Sequence, residues 1–332
     1  MILVTGATGL VGSHLLLHLL QEGEQTIRAI YRHTERIAKT KHLFELNQAQ
    51  HLFDLIDWQY ADILDVPALE AAFVDVDYVY HCAAFVSFDP KEEKKLRKTN
   101  IEGTANIVNL CLANHIKKLC HVSSIAALGE SLNPAIPITE QTEWNPELYH
   151  SDYALSKFGA EMEVWRGTQE GLDVVIVNPG VIFGAGFYRE GSSELLYKVS
   201  RGFPFYTTGT TAVVAVQDVV YCMRKLMQST SKNERFILVS DNLTNREILH
   251  FIASLLQTKP ASIKINRLGL SIGWRLDAFV SILTGKKRSF TRAIAKASLS
   301  QYIYDASKIK QTLNFTFSSY TDFLLEVSKR LN

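Results

Sequence analysis

Short apolar runs alternate with helical patterns through the first 180 residues of the chain. Strands are predicted at residues 2–5, 26–31, 58–61, 77–82, 118–123 and 174–178, with helices between them at 10–22, 36–46, 66–73, 92–114 and 153–170. Strands that are apolar along their whole length and separated by helices are typical of a parallel sheet covered on both faces. The sequence therefore predicts an α/β fold with a doubly wound parallel sheet, in which ligands bind at the carboxyl ends of the strands.

A glycine-rich turn joins the first predicted strand to the first predicted helix, with the sequence TGATGLVG at residues 5–12. Glycine lets the backbone bend tightly and approach a pyrophosphate closely, while the start of the helix offers unpaired N–H groups and a positive dipole end. In this strand–turn–helix context the pattern predicts a nicotinamide dinucleotide on a Rossmann fold. The expected contacts in the turn are Gly6, Thr8, Gly9, Leu10 and Val11.

The end of the second predicted strand indicates which dinucleotide binds. Proteins that bind NAD on this fold carry a carboxylate about twenty residues past the turn, where it bonds the ribose 2′-hydroxyl. Here the strand ends at Arg32, and Lys39 follows in the next helix. A guanidinium holds a phosphate with paired donors, so the sequence favours NADP(H). NAD(H) stays open as the alternative, in which Arg32 stacks on the adenine.

A tyrosine and a lysine stand four residues apart in the helix predicted at 153–170, so Tyr153 and Lys157 share one helix face. A phenol with a pKa of about 10 needs a neighbouring cation to act near neutral pH. We expect Tyr153 to exchange a proton with a carbonyl or hydroxyl oxygen of a small-molecule substrate, assisted by Lys157. Ser124, after the fifth strand, is placed to hydrogen-bond the same oxygen, which completes a predicted catalytic set of Ser124, Tyr153 and Lys157.

With these motifs the sequence resembles the extended branch of the short-chain dehydrogenase/reductase family, part of the NAD-dependent epimerase/dehydratase superfamily. The resemblance is carried by residues 5–12, 62–63, 81–84, 99–104, 122–124, 153–157 and 178–180. It implies further cofactor contacts besides Tyr153 and Lys157, namely Asp62 and Ile63 at the adenine, Ala83 and Ala84 along the dinucleotide, Asn178, Pro179, Gly180 and Val181 near the nicotinamide, and also Asn100 and Val122.

Within that family the sequence looks most like the dihydroflavonol 4-reductase and cinnamoyl-CoA reductase group, whose members reduce a carbonyl with NADPH. Sugar-nucleotide dehydratases follow the catalytic serine with an Asp-Glu pair, whereas Ile125 and Ala126 stand here. Epimerases place an asparagine near Val181, where Val181 and Ile182 are apolar. The resemblance thus implies a ketone or aldehyde reductase. An epimerase-type isomerase with retained NAD(P) and a non-catalytic NADP-binding sensor remain the alternatives.

Aromatic residues follow the fourth and sixth predicted strands, and they suit a flat or apolar substrate. The set comprises Phe85, Phe88, Phe183, Phe187, Tyr188, Phe203, Phe205 and Tyr206. The candidate substrate contacts are Phe85, Ser124, Phe183 and Phe187. We expect at least half of the aromatic set to belong to the core instead.

The strand–helix alternation weakens after residue 179, and helical patterns dominate from 243 onward. Residues 1–178, with 210–241 returning to them, are predicted to bind the dinucleotide, and 179–209 with 242–332 to form a smaller, mostly helical substrate lobe. The stretch 265–285 is rich in Leu, Ile, Trp and Phe but is interrupted by Arg267, Arg275 and Asp277. It is predicted to be a core-facing amphipathic helix, with an interfacial helix or a lid as the alternatives.

The near-zero net charge argues against a protein that binds nucleic acid through a strong electrostatic field. Lys and Arg total 35 and Asp and Glu total 34, for a formal net charge of +1, so no nucleic-acid partner is expected. His14 and His18 lie one helical turn apart without a third ligand, so no metal site is expected. We also expect reduced cysteines, a cytoplasmic location, no transmembrane segment, and a homodimer through the helices at 92–114 and 153–170.

Overall fold

A seven-stranded parallel sheet forms the centre of the computed structural model, which describes residues 1–330 apart from 132, 134 and 188–190. Within those residues the strands are β1 (Ile2–Thr5), β2 (Ile27–Tyr31), β3 (Ile56–Tyr60), β4 (Tyr78–His81), β5 (Lys118–Val122), β6 (Val174–Pro179), β7 (Val181–Phe183), β8 (Phe205–Tyr206), β9 (Thr210–Ala215), β10 (Glu234–Leu238), β11 (Asp241–Thr244) and β12 (Ile263–Lys264). The order across the main sheet is β3-β2-β1-β4-β5-β6-β10, and all neighbours are parallel. The order reverses between β1 and β4, which is where such a sheet forms its ligand crevice.

Helices cover both faces of this sheet. In chain order the described α-helices are α1 (Leu10–Gln21), α2 (Ile37–Leu46), α3 (Gln50–Phe53), α4 (Val66–Ala72), α5 (Glu93–Arg97), α6 (Gly103–Ala113), α7 (Asp152–Gln169), α8 (Ser193–Ser200), α9 (Val216–Gln228), α10 (Asn245–Leu255), α11 (Arg267–Thr284), α12 (Arg292–Ala297), α13 (Ser307–Leu313) and α14 (Tyr320–Lys329). Val4 of β1 packs in a core with α1, α2 and α9, while its neighbour Leu3 packs in a second core with α4, α6 and α7. Successive strand residues point to opposite faces, so apolar strands need both layers. The predicted doubly wound sheet is confirmed.

A short π-helical stretch interrupts the α-helix predicted at 92–114. Between α5 and α6 the chain makes a π-type turn at Lys98–Glu102, and the axis continues through it. Such turns accommodate one extra residue and often occur at functional sites. The turn contains Asn100, which is buried.

The chain after β6 builds smaller sheets beside the main one. Strands β7, β9 and β11 form a three-stranded sheet, β8 pairs with β12, and β10 returns to the main sheet beside β6. A third core lies between the three-stranded sheet and the helices α8, α10 and α14. The division into two lobes and the homodimer stay predictions.

The prediction that the helix at 265–285 faces the core is wrong. The helix forms there as α11, with the Asn266 side chain accepting a bond from the Gly269 N–H at 2.9 Å and Gly285 ending it at a φ of +66°. It does not face the core, because Leu276 is 58% and Phe279 60% exposed. No helix among the described residues is long and apolar enough to cross a membrane.

His14 and His81 are two of the three buried histidines that are neutral in the folded protein; the third is His121. The Nε2 of His14 lies 3.0 Å from the carbonyl oxygen of Ala185, which connects α1 to the segment after β7. Burial lowers the pKa of His14 to about 4. Burial, together with the positive charge of Lys157, lowers the pKa of His81 to about 3.

We expect acid to destabilise the fold through these histidines. Below a pH of 6.5 an unfolded His14 binds a proton that the folded protein does not bind until about pH 4, so stability falls as the pH drops through that window. The loss is about 1.4 kcal/mol per pH unit for each such histidine. Urea unfolding at stepped pH measures it. His14→Gln should flatten the slope, whereas His33→Gln, at a half-exposed ring, should leave it unchanged. Equal slopes in all three proteins would contradict the assignment.

Candidate active site

The glycine-rich turn begins helix α1 and closes tightly against β4. Gly6 has a φ of +66°, and a Cβ there would lie 2.5 Å from the backbone nitrogen of Ala83. A Cβ at Gly12 would lie 2.2 Å from the carbonyl oxygen of Gly6. Among the described residues, no side chain caps α1 at Gly9 and no acidic residue stands in its first turn. This helix start, with Thr8, Leu10 and Val11 half-buried along it, fits the pyrophosphate of a dinucleotide.

The residues predicted to hold the adenosine end lie together after β2 and β3. The Arg32 Nη1 lies 3.5 Å from Oδ2 of Asp62, and the two side chains are 44% and 24% exposed. Lys39 is half-buried in α2. Ile63 is buried, and its carbonyl oxygen accepts a bond from the Asn106 amide at 3.0 Å. The structure therefore places a guanidinium and a carboxylate side by side at this edge of the sheet.

Asn100 holds the loop that follows β4. Its Oδ1 accepts a bond from the Phe85 N–H at 2.7 Å, and its Nδ2 donates to the Phe85 carbonyl at 2.9 Å. The same Nδ2 donates to Oγ of Ser156 in α7 at 2.9 Å. Asn100 therefore joins the backbone at Phe85 to α7, and its own contact with a cofactor stays a prediction.

The three predicted catalytic residues come together at the carboxyl end of β5. Lys157 is 3% exposed, and its Nζ donates to the Val122 carbonyl at 2.8 Å. Burial lowers the pKa of Lys157 to about 8, and the negative charge of Glu161 opposes that shift. Burial raises the pKa of Tyr153, and a hydrogen bond with the Ser124 side chain opposes it.

A buried carboxylate behind these residues was not identified from the sequence. Glu161 has no exposed surface, and its Oε2 accepts bonds from Oγ of Ser123 at 2.6 Å and from Nδ2 of Asn178 at 2.9 Å. Its Oε1 accepts bonds from Nη1 of Arg235 at 3.0 Å and from Nε1 of Trp165 at 3.3 Å. The available signal was its spacing, because Glu161 follows Lys157 by four residues and so lies on the same face of α7.

The Glu161 network extends through Asn178 to Ser124. The Nδ2 of Asn178 also donates to the Ser124 carbonyl at 3.0 Å. The Oδ1 of Asn178 is buried and has no hydrogen-bond partner among the described residues. A buried acceptor of this kind requires a donor, so the end of β6 fits a bound group that carries N–H. Pro179 is buried beside it, and Val181 is 37% exposed just beyond.

A cavity of about 380 Å³ lies beside Tyr153. The Phe88 ring lies 5.5 Å from the Tyr153 ring, measured between centroids. Tyr149 lines the cavity from the segment before α7, and Trp274 lines it from α11. Sequence reasoning missed Tyr149 and Trp274, because only the fold brings residues so distant in the chain to one wall.

The predicted substrate contacts divide between the site and the core. Phe85 is half-buried in the loop after β4, with Nζ of Lys95 at 4.3 Å from its ring, and it is not among the residues that line the cavity beside Tyr153. Phe183 has no exposed surface and stacks on Phe323, so it is a core residue instead of a substrate contact. Phe187 is only 4% exposed. Tyr188 lies outside the described residues.

Comparisons with known proteins agree with this architecture. The sequence profile described as "NAD dependent epimerase/dehydratase family" matches residues 2–238, which confirms the resemblance carried by the motifs. The chain is 29% identical over 256 residues to sterol demethylase protein B of Methylococcus capsulatus, covering 76% of this chain and 74% of that protein. It is 27% identical over 272 residues to dihydroflavonol 4-reductase of Hordeum vulgare, covering 78% and 74%. The crystal structure of gox2253 has the same fold, with a TM-score of 0.82 and 24% identity over 99% of this chain and 97% of that one.

We expect Glu161→Gln to lower the free energy of unfolding by about 3 kcal/mol, because it leaves the Arg235 cation without its buried partner. Urea denaturation measures the change. The control is Glu163→Gln on the same helix, which breaks a part-exposed pair with Arg166 and should cost less than about 1 kcal/mol. Glu161→Gln combined with Arg235→Met should recover part of the loss. Equal losses at positions 161 and 163 would show that the buried pair does not support the site.

Proposed function

The chain belongs to the NAD dependent epimerase/dehydratase family, and from that membership we propose that it is an NADP(H)-dependent reductase acting on a ketone or aldehyde of a small, apolar or aromatic substrate. The observation that carries the proposal is the position of Tyr153. Its phenol interacts with the Ser124 side chain, lies in the same helix face as the buried ammonium of Lys157, and lines a cavity with aromatic walls.

The roles of the three residues follow from their chemistry. The bound dinucleotide supplies the hydride that the carbonyl carbon receives. Tyr153 gives its proton to the carbonyl oxygen, so the product is an alcohol and the side chain is left as a phenolate. The Lys157 ammonium stabilises that phenolate, and with a pKa of about 8 it is charged near neutral pH. Ser124 donates a hydrogen bond to the same oxygen and keeps it in line with the phenol.

Arg32 supports the preference for NADP(H). It follows β2 at the carboxyl edge of the sheet, and 44% of its side chain is exposed and available to an anion. Asp62 lies beside it, 3.5 Å away, and is placed to accept bonds from the adenosine. A ribose 2′-phosphate would pair with the guanidinium, whereas a 2′-hydroxyl gains little from it.

The cavity supports an apolar substrate. Phe88, Tyr149 and Trp274 supply broad aromatic surfaces. The charged residues that also line it are Asp152, Arg288 and Arg292. Arg288 is already engaged, because its Nη2 donates to the Trp274 carbonyl at 2.9 Å and its Nε lies 3.3 Å from Asp277, and the Arg292 guanidinium lies 5.3 Å from the centroid of the Tyr149 ring. Two of the relatives are named for a dihydroflavonol and for a sterol.

Loss of NADPH absorbance in the presence of aromatic, aliphatic and steroidal ketones and aldehydes tests the reaction. We expect Tyr153→Phe to lower kcat by about 1,000-fold and to leave NADPH binding nearly intact, since only the phenol hydroxyl is removed. Tyr149→Phe, which removes a hydroxyl from the same cavity, is the control and should stay within a few-fold of the parent. Turnover that does not need Tyr153 would overturn the catalytic assignment. Binding of NADPH with no consumption on any carbonyl would favour the isomerase or the sensor.

The preference for NADP(H) has its own test. Arg32→Asp should raise the KM for NADPH by about 10- to 100-fold, because a charge-assisted contact becomes a repulsion, while the KM for NADH changes little. Steady-state kinetics with both cofactors give the ratio. His33→Asp introduces the same charge one residue further along and serves as the control. An unchanged NADPH/NADH ratio in Arg32→Asp would place the 2′-phosphate contact elsewhere.

A further inference from the structure

One side of helix α11 presents a continuous apolar surface. We call it the α11 outer face; its side chains are 52% to 75% exposed and comprise Leu268, Ile272, Leu276, Phe279, Val280, Ile282 and Leu283. Most of these positions recur at intervals of three or four residues, which places them along one stripe of the helix. A stripe of this kind normally packs on a core, yet only Leu270 and Ser281 of α11 are buried.

The opposite side of α11 contacts the segment that follows the helix, and the Arg288 N–H in that segment donates to Asp89 in the loop after β4 at 3.3 Å. Asp277 accepts bonds from Arg288 at 3.3 Å and from the Ser289 hydroxyl at 2.9 Å. The Ser281 hydroxyl donates to the Lys286 carbonyl at 2.6 Å. Trp274 lies on this inner side and lines the cavity beside Tyr153. The helix is therefore held in one orientation, and its apolar stripe is directed outward.

The segment that carries this face is strongly basic. Residues 259–296 contain nine Lys and Arg against one Asp, a formal charge of +8 in a chain whose net charge is +1. Eight of the nine cations are exposed, namely Lys259, Lys264, Arg267, Arg275, Lys286, Lys287, Arg292 and Lys296. Asp277 is already paired with Arg288, and Glu92 from a neighbouring element pairs with Lys287 at 2.8 Å. A field this one-sided attracts an anionic partner.

We propose that the α11 outer face docks on the surface of an anionic lipid bilayer. Apolar side chains on a helix that lies in the plane of the membrane enter the boundary between headgroups and acyl chains, while flanking cations contact the negative headgroups. The α11 segment carries both features, an exposed apolar stripe and exposed cations within residues 259–296. A second copy of the chain is a poorer occupant, because a two-fold contact would bring one basic segment against another.

The docking places the catalytic cavity close to the membrane. The same helix carries the outer face on one side and Trp274, a wall of the cavity, on the other. An apolar substrate dissolved in the bilayer would thus lie near the mouth of the site. This consequence for the substrate rests on the proposed function, whereas the docking itself does not depend on the reaction.

Co-sedimentation of the full chain with lipid vesicles tests the docking. We expect binding to phosphatidylcholine vesicles that contain about 30% phosphatidylglycerol, weak binding to phosphatidylcholine alone, and loss of binding in about 1 M salt. Leu276→Glu combined with Phe279→Glu should weaken binding at least about tenfold. Lys264→Gln combined with Lys286→Gln should weaken it about fivefold for each cation removed.

The matched control is Leu55→Glu combined with Val74→Glu, which changes two equally exposed apolar residues far from α11 in the chain and should leave vesicle binding unchanged. Failure of the parent to bind anionic vesicles overturns the proposal, as does equal loss in the control. Size-exclusion chromatography must show that the α11 variants keep the parent's oligomeric state; a dimer that they dissociate would make a second copy the occupant. Because the vesicle assay needs no turnover, its failure is separate from a failure to consume NADPH.

Discussion

The buried ion pair between Glu161 and Arg235 is the interaction on which the geometry of the candidate active site depends. It joins α7, which precedes β6 in the chain, to the first half of β10, which follows it. A carboxylate with no exposed surface needs every acceptor position filled, and Glu161 achieves this with four donors. Because Asn178 is one of these donors, the backbone at Ser124 is fixed by the same network.

The buried carboxylate of Glu161 also affects the pKa of Lys157. Removing a lysine ammonium from water costs free energy, so burial by itself lowers its pKa. The negative charge of Glu161, one helical turn away, limits that fall, so the lysine keeps a pKa of about 8 while bonded to the Val122 carbonyl. The site thus holds a cation that is charged at neutral pH without exposing it to water.

The sheet, its helices and the placement of Tyr153 and Lys157 on one helix face were predictable because each is encoded locally. Buried parallel strands are apolar along their whole length, and Tyr153 and Lys157 share a helix face through spacing alone. Glu161 and Trp274 were not predictable in their roles, since those roles arise from contacts with residues far away in the chain. The prediction that Phe183 contacts the substrate was wrong, because an aromatic residue close in sequence to a site can still belong to the core. Helix α11 was misjudged for a related reason: periodicity shows that a helix has an apolar side but not what that side faces.

The side-chain hydrogen bonds of Asn100 connect three segments of the protein next to the candidate active site. Asn100 lies in the π-type turn between α5 and α6. Its side chain hydrogen-bonds both to the backbone of Phe85, in the loop after β4, and to Ser156 of α7. The three segments are therefore joined through a single side chain. A ligand that displaced the loop after β4 would strain the bond to Ser156, three residues after Tyr153, so the loop and the start of α7 are mechanically coupled at this one point.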